Sequence, residues 1–218
     1  MAFGEVGTSL SKIKANSLNL AGTFGFSGTI SGLGDETPLV LIQESSISAG
    51  TATVSFTSGI DSTYKEYLFI YNNIHPATNG EVDFSFQADT GTNTNYNQTI
   101  TSTSFRTYHT ESDSTAGTDY RTAMDQAQGS SFQKLIDDVG GDNDQSTSGM
   151  LRIYNPSSTT FVKHFIAMSN VYGESDISQS WFMAGYFNTT SALTRFQFKL
   201  VDAGGNMDDG TIQLFGVV

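Results

Sequence analysis

From Pro38 onward, apolar and polar residues alternate with period two, in short runs separated by Gly, Asn, Asp, Ser and Thr. In residues 81–89, Val82, Phe84, Phe86 and Ala88 share one phase; Asp83, Ser85, Gln87 and Asp89 share the other. Residues 193–201 repeat the pattern, with Phe196, Phe198 and Leu200 opposed to Arg195, Gln197 and Lys199. Successive side chains of a strand point to opposite faces, so this alternation predicts one buried face and one wet face. Tyr67, Leu68, Phe69, Ile70 and Tyr71 are apolar in both phases, which predicts a strand in the middle of a sheet. Further strands are predicted over 39–44, 51–56, 64–72, 97–110, 150–155, 160–168, 178–187 and 211–217. Residues 130–138 read as a strand in preference to one helical turn.

Turn chemistry supports the same picture. Asn79-Gly80 precedes the strand at 81–89 and suits a tight turn. His75-Pro76 and Asn155-Pro156 fall at predicted strand ends, where proline is tolerated. Asp208-Asp209-Gly210 reads as a hairpin turn before the last strand. Residues 111–128 and 140–149 read as two long polar loops, and long loops on a rigid scaffold are where binding concentrates. About ten strands at this spacing predict an all-β protein, an antiparallel β-sandwich of jelly-roll-like type.

Residues 1–34 differ in character. They are rich in Gly and small polar residues and show no helical periodicity. Phe24, Phe26 and Ile30 alternate briefly, and Leu33 follows. The division predicted is an extended attachment or oligomerisation arm over 1–34 and a β-sandwich domain over 35–218. A flexible tail is the alternative for the arm. The arm carries Lys12, Lys14 and Glu5, a net charge of +1, which leaves −13 for the remainder.

Composition narrows the chemistry. There is no cysteine, so no disulfide, thiolate nucleophile or Cys-based metal site is available. The 22 acidic and 10 basic residues give a formal charge of −12, which should repel nucleic acid and anionic membrane surfaces. No apolar run is long enough to span a bilayer as a helix. The N-terminus lacks a basic segment followed by an apolar one, so a protein made in a cytoplasm without a signal peptide is expected.

No nucleophile elbow, phosphate-cradling glycine loop or zinc-protease helix occurs. The three histidines, His75, His109 and His164, are far apart and read as surface or packed residues. A glycosidase needs two carboxylates about 5–9 Å apart; Glu44 with Glu66, or Glu174 with Asp176, could supply them, but 22 acids in a β protein create such pairs by chance. Asp142 and Asp144 flank Asn143 after two glycines, an alternation that can turn oxygen ligands toward a hard cation. These are weak metal candidates, and a solvated turn is the simpler reading. Among the aromatics, Trp181, Tyr186, Tyr96, Tyr108 and Tyr120 could serve as sugar-stacking platforms. Trp181 lies in an apolar run and reads as core, whereas Tyr108 and Tyr120 bracket the first polar loop and read as exposed. The ligand contacts predicted are Tyr108, Tyr120, Asp142 and Asp144.

Three stretches carry a resemblance. One runs from Ser45 through Ser58-Gly59-Ile60-Asp61-Ser62-Thr63-Tyr64-Lys65-Glu66-Tyr67 into the strand ending at Tyr71. The second is Gly149-Met150-Leu151-Arg152-Ile153-Tyr154-Asn155-Pro156-Ser157-Ser158. The third is Asp209-Gly210-Thr211-Ile212-Gln213-Leu214-Phe215-Gly216. Together they resemble a broad group of marine-phage virion proteins described as tail-fibre-like, head-fibre or capsid-decoration proteins. These are motifs of strands and turns, not a catalytic fingerprint. The resemblance implies a structural, non-enzymatic protein of the virion, an outward-facing sandwich that decorates the capsid or forms part of a fibre or spike. The expected partners are other virion proteins and further copies of the chain, as a trimer, with a host-surface glycan as ligand; no nucleic acid, membrane insertion or cofactor is expected. A carbohydrate-binding module is the first alternative and a glycoside hydrolase the second. The arm residues expected to make assembly contacts are Phe24, Phe26, Ile30 and Leu33.

Overall fold

The computed structural model describes residues 38–78, 82–202 and 205–218. The predicted arm residues Phe24, Phe26, Ile30 and Leu33, and the Asn79-Gly80 turn, lie outside the described residues. The described chain is all-β and folds as an antiparallel β-sandwich of two unequal sheets.

The larger sheet has nine strands. In hydrogen-bonded order it runs β1 (Leu39–Ser46), β13 (Met207–Val217), β3 (Glu66–Pro76), β9 (Thr147–Tyr154), β10 (Lys163–Gly173), β11 (Ile177–Phe187), β5 (Ile100–Thr110) and β6 (Ala116–Tyr120). β7 (Ala127–Gly129) pairs with the start of β5. The smaller sheet runs β2 (Val54–Phe56), β12 (Leu193–Val201), β4 (Asp83–Thr90) and β8 (Gln133–Lys134). Every pairing is antiparallel. β3, apolar in both phases, is an internal strand between β13 and β9, as its sequence predicts.

The core lies between the two sheets and is dominated by phenylalanine. Phe69 of β3 meets Phe56, Phe196 and Phe198 with ring centroids 5.1–5.3 Å apart. Phe86 of β4 packs edge-on against Phe165 of β10 at 5.3 Å, and Tyr71 against Phe84 at 5.1 Å. Aromatic pairs favour such edge-to-face geometry, worth ~0.5–1.5 kcal/mol each beyond the area they bury. Trp181 is buried, as expected of an apolar strand.

Five local expectations are corrected. The polar phase of β4 is not wet: Asp83, Ser85, Gln87 and Asp89 are all buried. The segments after β4 and around β8 wrap over that face, and its side chains hold their backbones. Gln87 Nε2 donates to the carbonyls of Gln98, Ser130 and Ser131, and Asp89 accepts from Tyr96 N at 2.8 Å. Period two shows which residues share a face; it does not show whether a loop will cover it.

The predicted loop at 111–128 contains β6 and the start of β7. β6, Ala-Gly-Thr-Asp-Tyr, lacks an apolar alternation because it is the edge strand, paired on one side only. The second predicted loop, 140–149, gives its last residues to β9, and 130–138 contributes only the two-residue strand β8. Finally, Asp208-Asp209-Gly210 is no hairpin turn. It lies within β13, where the register against β3 shifts twice. Gly210 takes φ +122°, and a Cβ there would sit 2.8 Å from Asn73 O, so the bulge requires glycine.

Candidate functional site

Two surfaces of the sandwich carry unusual chemistry. The first is the end of the large sheet where β3, β10 and β5 finish and β13, β9 and β11 begin. Here lies an open polar pocket of about 550 Å³, lined by Asn73, His75, Asn143, Asp144, Gln145, Ser146, Asp208 and Asp209. His75 holds it together. Its Nδ1 lies 2.6 Å from Asp208 Oδ1 and its Nε2 3.1 Å from the carbonyl of Asp142. The ring therefore ties the 140–146 loop to β13. Gln145, itself buried, accepts from Asp142 N at 3.1 Å through Oε1 and donates to the Gly173 carbonyl at 3.3 Å through Nε2.

Asp144 lines this hollow, and the fold adds His75, Asp208 and Asp209 from distant sequence. Asp142 contributes its backbone to the loop's hydrogen bonds. Among the described residues, no group of three His, Asp or Glu side chains is placed to hold a metal ion. Glu111, Asp113, Glu174 and Asp176 stand in the neighbouring turns at this end, so the rim is acidic. Tyr172 donates to Asp176 at 3.1 Å, and that bond to a carboxylate pushes its phenol up to about 12.

The second surface is the outer face of the large sheet. Antiparallel register places residues in rows across the strands. One row runs Ile70, Met150, Met168, Phe182, Phe105 and Tyr120. The next runs Leu68, Arg152, Ile166, Ala184 and Thr103, with Leu41 and Phe215 continuing it toward β1. A third runs Glu66, Tyr154, His164, Tyr186 and Thr101. Leu41 is 52% exposed, Ile166 49%, Met168 45%, Phe105 45% and Tyr120 54%, where an outer sheet face is ordinarily polar. Phe105 and Phe182 stack in parallel, with centroids 5.0 Å apart.

Two hollows interrupt this face. One, of about 450 Å³, has Tyr154, His164 and Tyr186 among its walls and Thr101, Thr103, Ala184 and Gly185 beneath. His164 meets the Tyr186 ring edge-on at 6.1 Å. The other, of about 220 Å³, lies beside Gly149, Met168 and Phe182.

The sequence-predicted contact residues are not brought together. Tyr120 is exposed on the outer face and donates to Asp125 Oδ2, which raises its phenol. Tyr108 points to the opposite face and is half-buried, under the Arg106 guanidinium at 4.8 Å. The same guanidinium lies 5.5 Å over Trp181. Tyr96 is buried and is no sugar platform. Sequence reading missed Ile166, Met168 and Phe182. Their signal was present: 164–168 and 181–184 contain apolar residues in both phases, as β3 does.

Three of the candidate acids are engaged by other side chains. Glu44 accepts from Gln213 Nε2 at 2.5 Å, Glu66 pairs with Arg152 at 2.5 Å, and Asp176 holds Tyr172. One carboxylate cluster does perturb its members. Lys134 Nζ bridges Asp83 and Asp202, and the two carboxyls also share a hydrogen bond. Burial pushes Asp83 up to about 7, while the bond from Lys134 holds Asp202 below its ordinary value. The inner acid keeps the proton and the outer one the charge. Carboxyls in direct hydrogen bond leave no room for the glycosidic oxygen and water that a pair 5–9 Å apart accommodates. Compared with protein-family models, curated proteins and solved structures, the chain matches none.

Proposed function

We propose that the chain is a non-catalytic structural subunit of a bacteriophage particle. Its sandwich decorates the capsid or forms part of a fibre or spike, and the acidic loop end faces outward, toward the host. The observation that carries this reading is the apolar outer face of the nine-stranded sheet. A domain that works alone in water seldom exposes a contiguous patch of large apolar side chains; such patches mark surfaces covered by a neighbour. The resemblance of the three strand-and-turn motifs to phage virion proteins supplies the kind of neighbour. The polar pocket at His75 and Asp144, on the charged rim, suits a polyhydroxylated host ligand in this arrangement.

The test is mass spectrometry of purified particles, joined to immuno-electron microscopy with an antibody raised against residues 111–115. The chain should occur in many copies per particle and the antibody should label the particle surface. Its absence from particles overturns the reading. Polysaccharide hydrolysis that survives purification and disappears in a carboxylate variant would overturn the non-catalytic part.

A carbohydrate-binding module is the second reading. It rests on the hollow walled by Tyr154, His164 and Tyr186, since aromatic rings stack on the C–H faces of sugars. The two readings compete for one face, because a subunit seated there would close this hollow.

A further inference from the structure

We propose that a second copy of this chain docks on the outer face of the nine-stranded sheet. The inference rests on the structural-subunit reading and names its partner. Three features of the face point to a copy over any other occupant.

The first is charge. The chain carries −12, and its loop end gathers Glu111, Asp113, Asp144, Glu174, Asp208 and Asp209. Two copies repel each other over most of their surfaces. Across the central strands of the outer face the charged groups are Glu66 and Arg152, which neutralise each other at 2.5 Å. This is where like-charged copies can approach without bringing carboxylates together. A basic partner would be drawn to the acidic rim instead.

The second is size. The three rows cross about six strands on average, which at ~4.8 Å spacing span ~24 Å. Three rows along each strand, from His164 to Met168, cover ~20 Å with their side chains. The product is ~500 Å² on each molecule, toward the low end of specific interfaces at ~600–800 Å² per partner.

The third is self-complementarity. An isologous contact requires knobs and hollows on one surface, because each copy supplies both. Ile166, Met168 and Phe105 stand out from the face, and the hollows of about 220 and 450 Å³ lie beside them. The composition also fits: Met, Phe and Tyr are the residues enriched where interfaces bury their centre.

The test is sedimentation velocity of the full chain between roughly 1 and 100 µM, where a weak interface of this area assembles. The wild type should be a dimer or a larger closed oligomer. Met168→Lys and Phe105→Lys should each weaken association at least about tenfold, since each would bury a charge in the contact. Circular dichroism should be unchanged for both; the melting transition should be little changed for Met168→Lys and modestly lower for Phe105→Lys, which gives up the Phe182 stack. Ser114→Lys, at the loop end, should leave association intact. A wild type that stays monomeric at every concentration overturns the proposal. So does an oligomer indifferent to both outer-face variants. A monomer whose outer-face strands resist hydrogen exchange would assign the face to residues 1–37, and a monomer that binds neutral oligosaccharide through Tyr186 would assign it to sugar. Failure here is separable from failure of the particle reading: a monomer present in purified particles overturns only the docking, and an oligomer absent from them overturns only the particle.

Discussion

Gln87 shows how one side chain can hold a polar layer under cover. Its amide nitrogen donates to three backbone carbonyls, of Gln98, Ser130 and Ser131, and its Oε1 accepts from Ala88 N at 2.7 Å. Removing it leaves buried carbonyls without a donor, at ~1–3 kcal/mol. Gln87→Ala should therefore lower the urea midpoint by that amount of stability, with an unchanged m-value. An effect below a few tenths of a kcal/mol would mean that water replaces the amide. Asp83 supplies a second residue-scale prediction. Its ordinary value is 3.8 and burial raises it to about 7 in the fold. An acid raised on folding binds its proton more tightly in the native state, so stability is greatest below about pH 4 and falls as pH rises to about 7. Asp202, lowered by Lys134, acts in the other direction and only at the acid end, where protonating it weakens the fold. Asp83→Asn should flatten the decline between pH 4 and 7 in a thermal-melt series. A wild-type profile that rises over that interval would refute the assignment.

At the scale of elements, the edge of the large sheet decides what can be cut. β6 reads as loop in sequence because its residues are polar and small, and deletion of residues 112–118 then looks harmless. In the fold, Arg106 of β5 holds Asp119 of β6 at 3.0 Å, and Tyr108 lies against Gly117. Removing 112–118 takes away half of β6 and opens the hydrogen-bonding edge of β5. We expect the deletion to lower Tm by several degrees and to promote aggregation, both readable by calorimetry and light scattering. Gly149 makes the complementary case inside the sheet. A Cβ there would sit 2.5 Å from Met168 O and 2.8 Å from Ser169 Cα, both backbone atoms of β10. Gly149→Ala should push β9 from β10 and destabilise by ~1–3 kcal/mol, whereas Gly91→Ala at a surface turn meets no atom and is strained only by its φ of +57°.

At the scale of the whole molecule, the two faces of the large sheet divide the work. The inner face is filled by phenylalanines from both sheets, and the outer face repeats large apolar residues with nothing described above them. The acidic groups collect at one end, around the His75 pocket. A particle subunit needs surfaces of these two kinds, one to meet its neighbours and one to face outward.

Period-two alternation by itself determined that the described chain is an antiparallel β-sandwich, and which apolar residues of β4 and β12 fill its core. That follows because strand geometry makes every second side chain a neighbour, so local sequence reports local burial. Trp181 was legible as core for the same reason. What only the tertiary structure decided depends on contacts between distant residues. The segments at 91–99 and 130–139 cover the polar phase of β4, a choice written in neither strand alone. Register across β9, β10, β11 and β5 aligns Met150, Met168, Phe182 and Phe105 into one row. His75 and Asp208 lie 133 positions apart and become partners only when β3 and β13 pair. Tyr108 and Tyr120 fall on opposite faces because the turn between β5 and β6 sets their pairing, and a hairpin's register fixes which side each residue takes.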